Sequence, residues 1–223
     1  MIRIFAGEML RKIFDYEVVL VPMGINNSFN SGFRYDIATN FEGLKEAEGL
    51  ATKYGDRGKY GTIKSIKSDG IIFVFCYMDR GGFRKGDSVD YAALESCLRL
   101  VEKAYSGMKI ASPLMGYGEF DGRGDKEKLI KTFTDRFSES KADVDLYIFE
   151  GEDRKLLIFK EIAELRAKYK RKEITSVDYA RKRSEIEWRR KHGIFREMPE
   201  GYEYKPKHKA KDEIITVKKS DIN

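Results

Sequence analysis

Histidine is almost absent from this chain of 223 residues: there are two, His192 and His208, and both lie in its last third. Residues 1–150 therefore have no imidazole, which excludes a Ser-His-Asp triad, a Cys-His pair or a histidine general base there. Chemistry in that part must rest on carboxylates, lysine, tyrosine, main-chain dipoles or a borrowed metal. Cysteine is as scarce. Cys76 and Cys97 have no CxxC spacing and no histidine nearby, so neither a zinc site nor a disulfide framework is expected. They read as two small hydrophobes in a reducing compartment. No apolar run reaches the roughly 18 residues that cross a bilayer. The opening MIRIFAGEML lacks the basic-then-apolar layout of a secretory signal. The expectation is a soluble cytoplasmic protein with no membrane partner, no resident cofactor and no metal site.

What is present is enough for a core: 41% of residues are hydrophobic and 13% aromatic, which excludes global disorder. The length fits one α/β domain of about 150 residues with an appendage. Charge divides the chain at the same place. Residues 1–150 hold 22 Lys+Arg against 23 Asp+Glu, whereas 151–223 hold 21 against 14. The net charge of +6 thus belongs to the tail.

Strand and helix patterns alternate through the first part. IRIF (2–5), YEVVLVP (16–22), GTIKSI (61–66), IIFVFCYM (71–78), KIASPLM (109–115) and DVDLYIFE (143–150) read as strands, the third and fourth around a Ser68-Asp69-Gly70 turn. A helix is expected over about 34–53, weakened by Gly43 and Gly49. Another spans 89–105, where Leu94, Cys97, Leu98, Val101 and Ala104 recur at three-and-four spacing. A third opens at Lys126. This order predicts an α/β layered domain with a largely buried sheet.

Two loops run from a strand into a helix, where an α/β sheet usually binds ligands through free main-chain N–H groups. The first, residues 24–33, contains Asn26, Asn27, Ser28, Phe29, Asn30, Ser31 and Gly32. It can wrap a ribose or phosphate, although a surface turn has the same composition. The second begins Gly116-Tyr117-Gly118 and continues through Gly122 and Gly124. It matches neither a dinucleotide fingerprint nor a P-loop, since no GK[ST] follows. Together the loops can clasp a diphosphate, with Tyr117 stacked on a ribose or base or packed as core. Glu119, Asp121 and Asp125 crowd the second loop, and one of them can orient a water. Capping of the helix from Lys126 is a complete alternative account of Asp125.

Thr52-Lys53-Tyr54-Gly55-Asp56, Lys59-Tyr60-Gly61-Thr62-Ile63, Cys76-Tyr77, Val89-Asp90-Tyr91-Ala92-Ala93-Leu94-Glu95-Ser96-Cys97-Leu98 and Ile110-Ala111-Ser112-Pro113-Leu114-Met115-Gly116-Tyr117-Gly118 follow in order. With that order and spacing, residues 1–150 resemble the macro domain family. The likeness is greatest to its compact bacterial and phage branch, related to ADP-ribose 1''-phosphate phosphatases. The resemblance implies a three-layer α/β/α sandwich with a mixed sheet and ADP-ribose in a cleft between two loops. It implies a cytoplasmic setting, the host's if a phage encodes the chain. Gly7-Glu8-Met9 stands where the family has Gly-Asp-hydrophobe, so Glu8 would receive the adenine amino group. Ser31-Gly32-Phe33 would form the first phosphate loop, Gly116-Tyr117-Gly118 the second, and Asp125 matches the Asp that often ends it. Asp125 and then Asp121 are the candidates to position water in hydrolysis of a terminal phosphate or an ADP-ribosyl ester. The chain departs from the family in three ways. The Asn that contacts the distal ribose is replaced by Gly24, with Asn26 and Asn27 close by. Tyr77 holds the position of the lysine of the lysine-dependent hydrolases. The second loop is longer and carries Glu119, Asp121 and Arg123. These departures favour a reader of ADP-ribose over an enzyme.

Residues 151–195 predict a basic helical hairpin, with one stripe of Ile162, Leu165 and Tyr169 and another of Val177, Tyr179, Ile186 and Trp188. Thr175 or Ser176 caps the second helix and Gly193 stops it. The stretch Lys172–Tyr179 resembles short hairpins at the C-termini of bacterial proteins. Residues 196–223 read as a polar, flexible tail with a short strand at IITV. Two rival functions follow. One is a non-catalytic interaction protein with a degenerate cleft. The other is nucleic-acid or protein binding through 151–223, against which stands a simple solvated face.

Overall fold

The computed structural model describes residues 1–30, 32–79, 89–117, 123–150 and 154–204, the first three of the last stretch by backbone alone. Two compact units divide the chain, Met1–Gly151 and Glu152–Asn223.

The first unit is built on a six-stranded sheet of order β1-β6-β5-β2-β4-β3. Its strands are β1 (Ile2–Ala6), β2 (Val18–Gly24), β3 (Ile63–Ser68), β4 (Ile71–Asp79), β5 (Lys109–Pro113) and β6 (Asp143–Ile148). All neighbours are parallel except β3, which pairs antiparallel with β4. The β3–β4 hairpin closes on Asp69 and Gly70, both at positive φ (50° and 83°). That is the type I′ geometry an Asp-Gly pair favours, because its twist matches the strands.

Period-2 alternation sorts β2 and β4 between two layers. Val18, Leu20, Val74 and Cys76 pack with α3 (Tyr91–Ala104) and α4 (Lys126–Phe137) through Leu94, Cys97, Leu98, Leu129, Phe133 and Phe137. On the opposite face, Phe41 packs on Phe73 (ring centroids 4.6 Å apart) and Phe29 on Phe75 (5.9 Å). Ile37 and Leu44 are buried with them in α1 (Gly32–Asn40) and α2 (Leu44–Ala51). The result is an α/β/α sandwich on a mixed sheet. The single helix expected over 34–53 is broken in two, because Gly43 adopts φ 78° and ends the run between Asn40 and Leu44. Gly32 and Phe33 lie in the first turn of α1 rather than in the loop. Two 3₁₀ turns, Leu10–Asp15 and Arg57–Lys59, carry no periodic signal and were not expected.

A polar knot ties the edge strand β1 to the sheet. Arg3 bonds Asp145 (2.6 Å) and Asp143 (3.0 Å), and the Tyr16 hydroxyl donates to Asp145 Oδ2 (2.8 Å) and meets the Tyr147 hydroxyl (2.6 Å). Burial, then these bonds, push Tyr16 well above the usual phenol range.

In the second unit α5 (Arg154–Lys170) and α6 (Ser176–His192) form a hairpin around Ile158, Leu165, Tyr179 and Ile186. Thr175 caps α6 by accepting from the Asp178 N–H (3.1 Å), and Gly193 ends it at φ 76°. Val177, expected in the apolar stripe of the second helix, is half-exposed, and Ile158 of α5, not named from the sequence, is buried in the hairpin core. Part of the stretch read as flexible is packed. Trp188 stacks on His192 (3.9 Å) and meets Tyr202 edge-on (4.8 Å), and the Tyr204 N–H donates to Ser184 Oγ (3.1 Å). Residues 205–223, with IITV and His208, lie outside the described residues. Among the described residues no helix is long and apolar enough to cross a membrane.

Candidate functional site

The sheet itself marks the site. The strands β2 and β5 are neighbours, yet the chain leaves β2 toward the α1/α2 layer and leaves β5 toward α4 on the other face. Such a switch point leaves a crevice at the C-terminal strand ends, bounded by the two departing loops. The loops sought in the sequence, after β2 and after β5, are the ones that flank it.

Three strand ends converge there. Gly24 lies against Asp79, and a Cβ on Gly24 would stand 3.4 Å from Asp79 Oδ2. The Ile25 N–H donates to the Asp79 carbonyl (3.0 Å), extending the β2–β4 pairing past a register shift at Met23/Gly24. Gly116 adopts φ 86°, with Val89 Cγ2 2.8 Å and Met78 Cε 3.2 Å from the place a Cβ would occupy. The Gly124 N–H donates to the Gly116 carbonyl (2.8 Å), so the second loop leaves and returns through one pinch. Tyr117 is half-buried against the core, and Lys126 Nζ lies 5.7 Å from its ring centroid. Lys126 is also paired with Glu150.

Asp125 caps α4. Its Oδ1 accepts from the Lys128 N–H (2.7 Å), and its own N–H donates to the Tyr91 hydroxyl (3.1 Å). It stands exposed at the mouth of the second loop. Glu8 follows β1 on the same edge of the sheet, half-buried, and accepts from Arg11 Nε (3.2 Å). Met9 beside it is buried. Gly7 keeps β1 on β6 by donating to the Ile148 carbonyl (2.9 Å). From β1 to β2 there are three strand spacings, about 14 Å, enough for an extended ligand laid across the strand ends. Asn26 is half-buried after β2, while Asn27 turns its amide inward. Ser31, Gly118, Glu119 and Asp121 lie outside the described residues.

A buried polar network beneath the first loop was not expected from the sequence. Glu48 on α2 is fully buried and accepts at Oε1 from the Tyr77 hydroxyl (2.6 Å) and from Thr52 Oγ1 (2.7 Å). Asn27 Nδ2 donates to Thr52 Oγ1 (2.9 Å), and Lys59 Nζ donates to Asn27 Oδ1. Lys59 is 8% exposed, with Nζ 3.4 Å from Thr52 Oγ1 and 4.8 Å from the Tyr77 ring centroid. Burial lowers the Lys59 ammonium below the usual lysine range, opposed by the charges of Glu48 and Asp56. Burial and the bond to Glu48 push the Tyr77 phenol up. Thr52, Lys59 and Tyr77 carry the family resemblance, but their convergence is a long-range event that spacing does not reveal. Asn27, expected beside the distal ribose, stands at φ 49° with its amide turned into this network.

On the face covered by α3 and α4, the thiols of Cys76 and Cys97 are neighbours in the core, and their contact and burial push Cys76 up. Both are free. Among the described residues no group of three or more His, Cys, Asp or Glu is placed to hold a metal.

No family model and no curated protein matches the chain. Solved structures do. The macrodomain of Mycobacterium tuberculosis DarG superposes with a TM-score of 0.56 at 18% identity, over 68% of this chain and 99% of that one. The macrodomain of Thermus aquaticus DarG gives 0.53 at 14%, over 68% and 99%. Thermosipho africanus DarTG, solved in complex with ADP-ribose, gives 0.53 at 14%, over 65% of this chain and 41% of that one. The first unit has the macrodomain fold, and its likeness runs to the bacterial DarG structures.

Proposed function

We propose that the first unit binds ADP-ribose, or a close derivative, across the C-terminal strand ends between the loops after β2 and β5. The observation that carries this reading is the switch point between β2 and β5, flanked by two glycine-bearing loops and continuous with Glu8 beyond β6. Glu8 accepts the adenine amino group, with Met9 packed behind it. Gly24 and Asn26 face the distal ribose. Ser31, Gly32 and Phe33 serve one phosphate, the last two from the first turn of α1, and Gly116, Tyr117 and Gly118 receive the other. The structural neighbour solved with ADP-ribose supports this choice of ligand.

In this reading the protein is foremost a reader. Asp125 and Asp121 are the carboxylates that would position water, and Asp125 is already engaged as the α4 cap. Turnover on ADP-ribose 1''-phosphate is therefore expected to be slow or absent. In the hairpin Arg171, Arg181, Arg183, Arg189 and Arg190 are engaged by carboxylates, Arg183 and Arg190 sharing Glu187, which is the pattern of a solvated charged face. Calorimetry with ADP-ribose on the wild type and Glu8→Ala tests the reading. Micromolar binding weakened by Glu8→Ala supports it, and wild-type affinity in Glu8→Ala contradicts the adenine assignment.

A further inference from the structure

We propose that Lys59 is a positioning residue for the first ligand loop, acting through the Asn27 side chain rather than by touching the ligand. The inference rests on the ADP-ribose reading of the cleft. Asn27 is the hinge of that loop. Its N–H closes a turn onto the Gly24 carbonyl (3.1 Å) and its backbone is left-handed. Both ends of its amide are committed inward, Nδ2 to Thr52 and Oδ1 to Lys59. The start of the loop is tied as well, by the Gly55 N–H to the Ile25 carbonyl (2.9 Å). The grip on this side chain therefore sets the course of the main chain at Asn27, ahead of Phe29, which is itself anchored in the core against Phe75.

Lys59 is buried within the grip, less exposed than the Asn27 and Thr52 it bonds. Burying an ammonium costs several kcal/mol unless compensated, and its hydrogen-bond partners here, Asn27 and Thr52, are neutral. Thr52 and Glu48 already satisfy each other, so hydrogen bonding within α2 does not require the lysine. What the ammonium adds is twofold. It balances a fully buried carboxylate whose Oε2 has no hydrogen-bond partner among the described residues. It also fixes Asn27 Oδ1, which orients the amide so that Nδ2 faces Thr52. The first effect concerns stability alone. The second pre-organises a binding loop, which appears as affinity because ordering is no longer charged to the ligand.

The experiment separates the two effects. Calorimetric titration of the full chain with ADP-ribose is run on wild type, Lys59→Met, Asn27→Gly and the double variant, each below its own unfolding transition. Glycine tolerates the left-handed backbone at position 27, so Asn27→Gly removes the grip without strain. Each single change is expected to weaken binding about tenfold. The double variant should also lose about tenfold, because residues acting through one contact do not add. Losses that multiply to about a hundredfold overturn the coupling. A Lys59→Met protein that melts earlier but binds like wild type overturns the positioning role and leaves a structural one. If Lys59→Met does not fold, Asn27→Gly decides: wild-type affinity there overturns the inference. Wild-type protein that binds no ADP-ribose overturns the proposed function, and this inference with it.

Discussion

Gly116→Ala tests the pinch that shapes the second loop. Two costs follow from its surroundings. At φ 86° a Cβ is strained, and a left-handed non-glycine residue costs roughly 1–2 kcal/mol. The new methyl would also stand 2.8 Å and 3.3 Å from the two Val89 methyls and 3.2 Å from Met78 Cε. Met78 can swing its terminal methyl aside, but Val89 is β-branched and stiff at χ1, so rotation does not relieve both of its contacts. Overpacking of this kind costs about 1–3 kcal/mol. The sum, about 2–5 kcal/mol, is a large fraction of the ~5–15 kcal/mol that holds a typical domain. Gly124→Ala meets Val89 at 2.9 Å, Leu129 at 3.0 Å and the Gly116 carbonyl at 3.1 Å. With steric cost alone, it should lose about 1–3 kcal/mol. Gly49→Ala is the control: Gly49 is exposed in α2 and nothing stands within 4 Å. It should be neutral or stabilise by about 0.5–1 kcal/mol. Urea unfolding of the three variants measures the order directly. A Gly116→Ala protein within ~0.5 kcal/mol of wild type would refute the reasoning, since neither strain nor crowding would then be felt.

Phe133→Ala, at a fully buried ring between α4 and the sheet, should cost about 3–5 kcal/mol in the same assay. Asp125→Ala should lose about 1 kcal/mol with the α4 cap while keeping ADP-ribose affinity; if the wild type turns over ADP-ribose 1''-phosphate, that rate should fall about 100-fold. The Tyr16 and Tyr77 phenols are raised in the folded state. Their contribution to stability is fully present below their unfolded pKa of about 10 and is lost as pH rises toward the folded values. Alkaline unfolding should therefore steepen above about pH 10, and Tyr77→Phe should flatten that slope while costing about 1.5–3 kcal/mol at neutral pH through the bond lost to Glu48. Deleting residues 152–223 should leave Met1–Gly151 folding cooperatively, and an insoluble product would contradict its independence.

The strands were the most legible part of the fold, because buried runs such as 71–78 and the Asp-Gly turn are local signals. Helix α3 was legible for the same reason, through its three-and-four stripe. The split of α1 from α2 was not, since whether Gly43 breaks a helix or merely weakens it depends on Phe41 reaching Phe73 across the sheet. Val177 misled because one apolar residue at a suitable spacing cannot report which side the partner helix takes. In the candidate site, glycines and caps were readable: Gly116, Gly124 and Asp125 act through their own backbone or the next turn. Asn27, Thr52, Lys59 and Tyr77 were not, because their roles arise from segments 25 to 32 residues apart meeting under one loop. The face on which each loop departs, which creates the switch point, is likewise a property of packing rather than of either loop.

Calorimetric titration of the full chain with ADP-ribose tests the central claim most directly. The account predicts one site per chain with micromolar affinity, about −8 kcal/mol or weaker, lost progressively in Glu8→Ala and Gly116→Ala. No heat, and no shift of the thermal transition, at roughly millimolar ligand would contradict it.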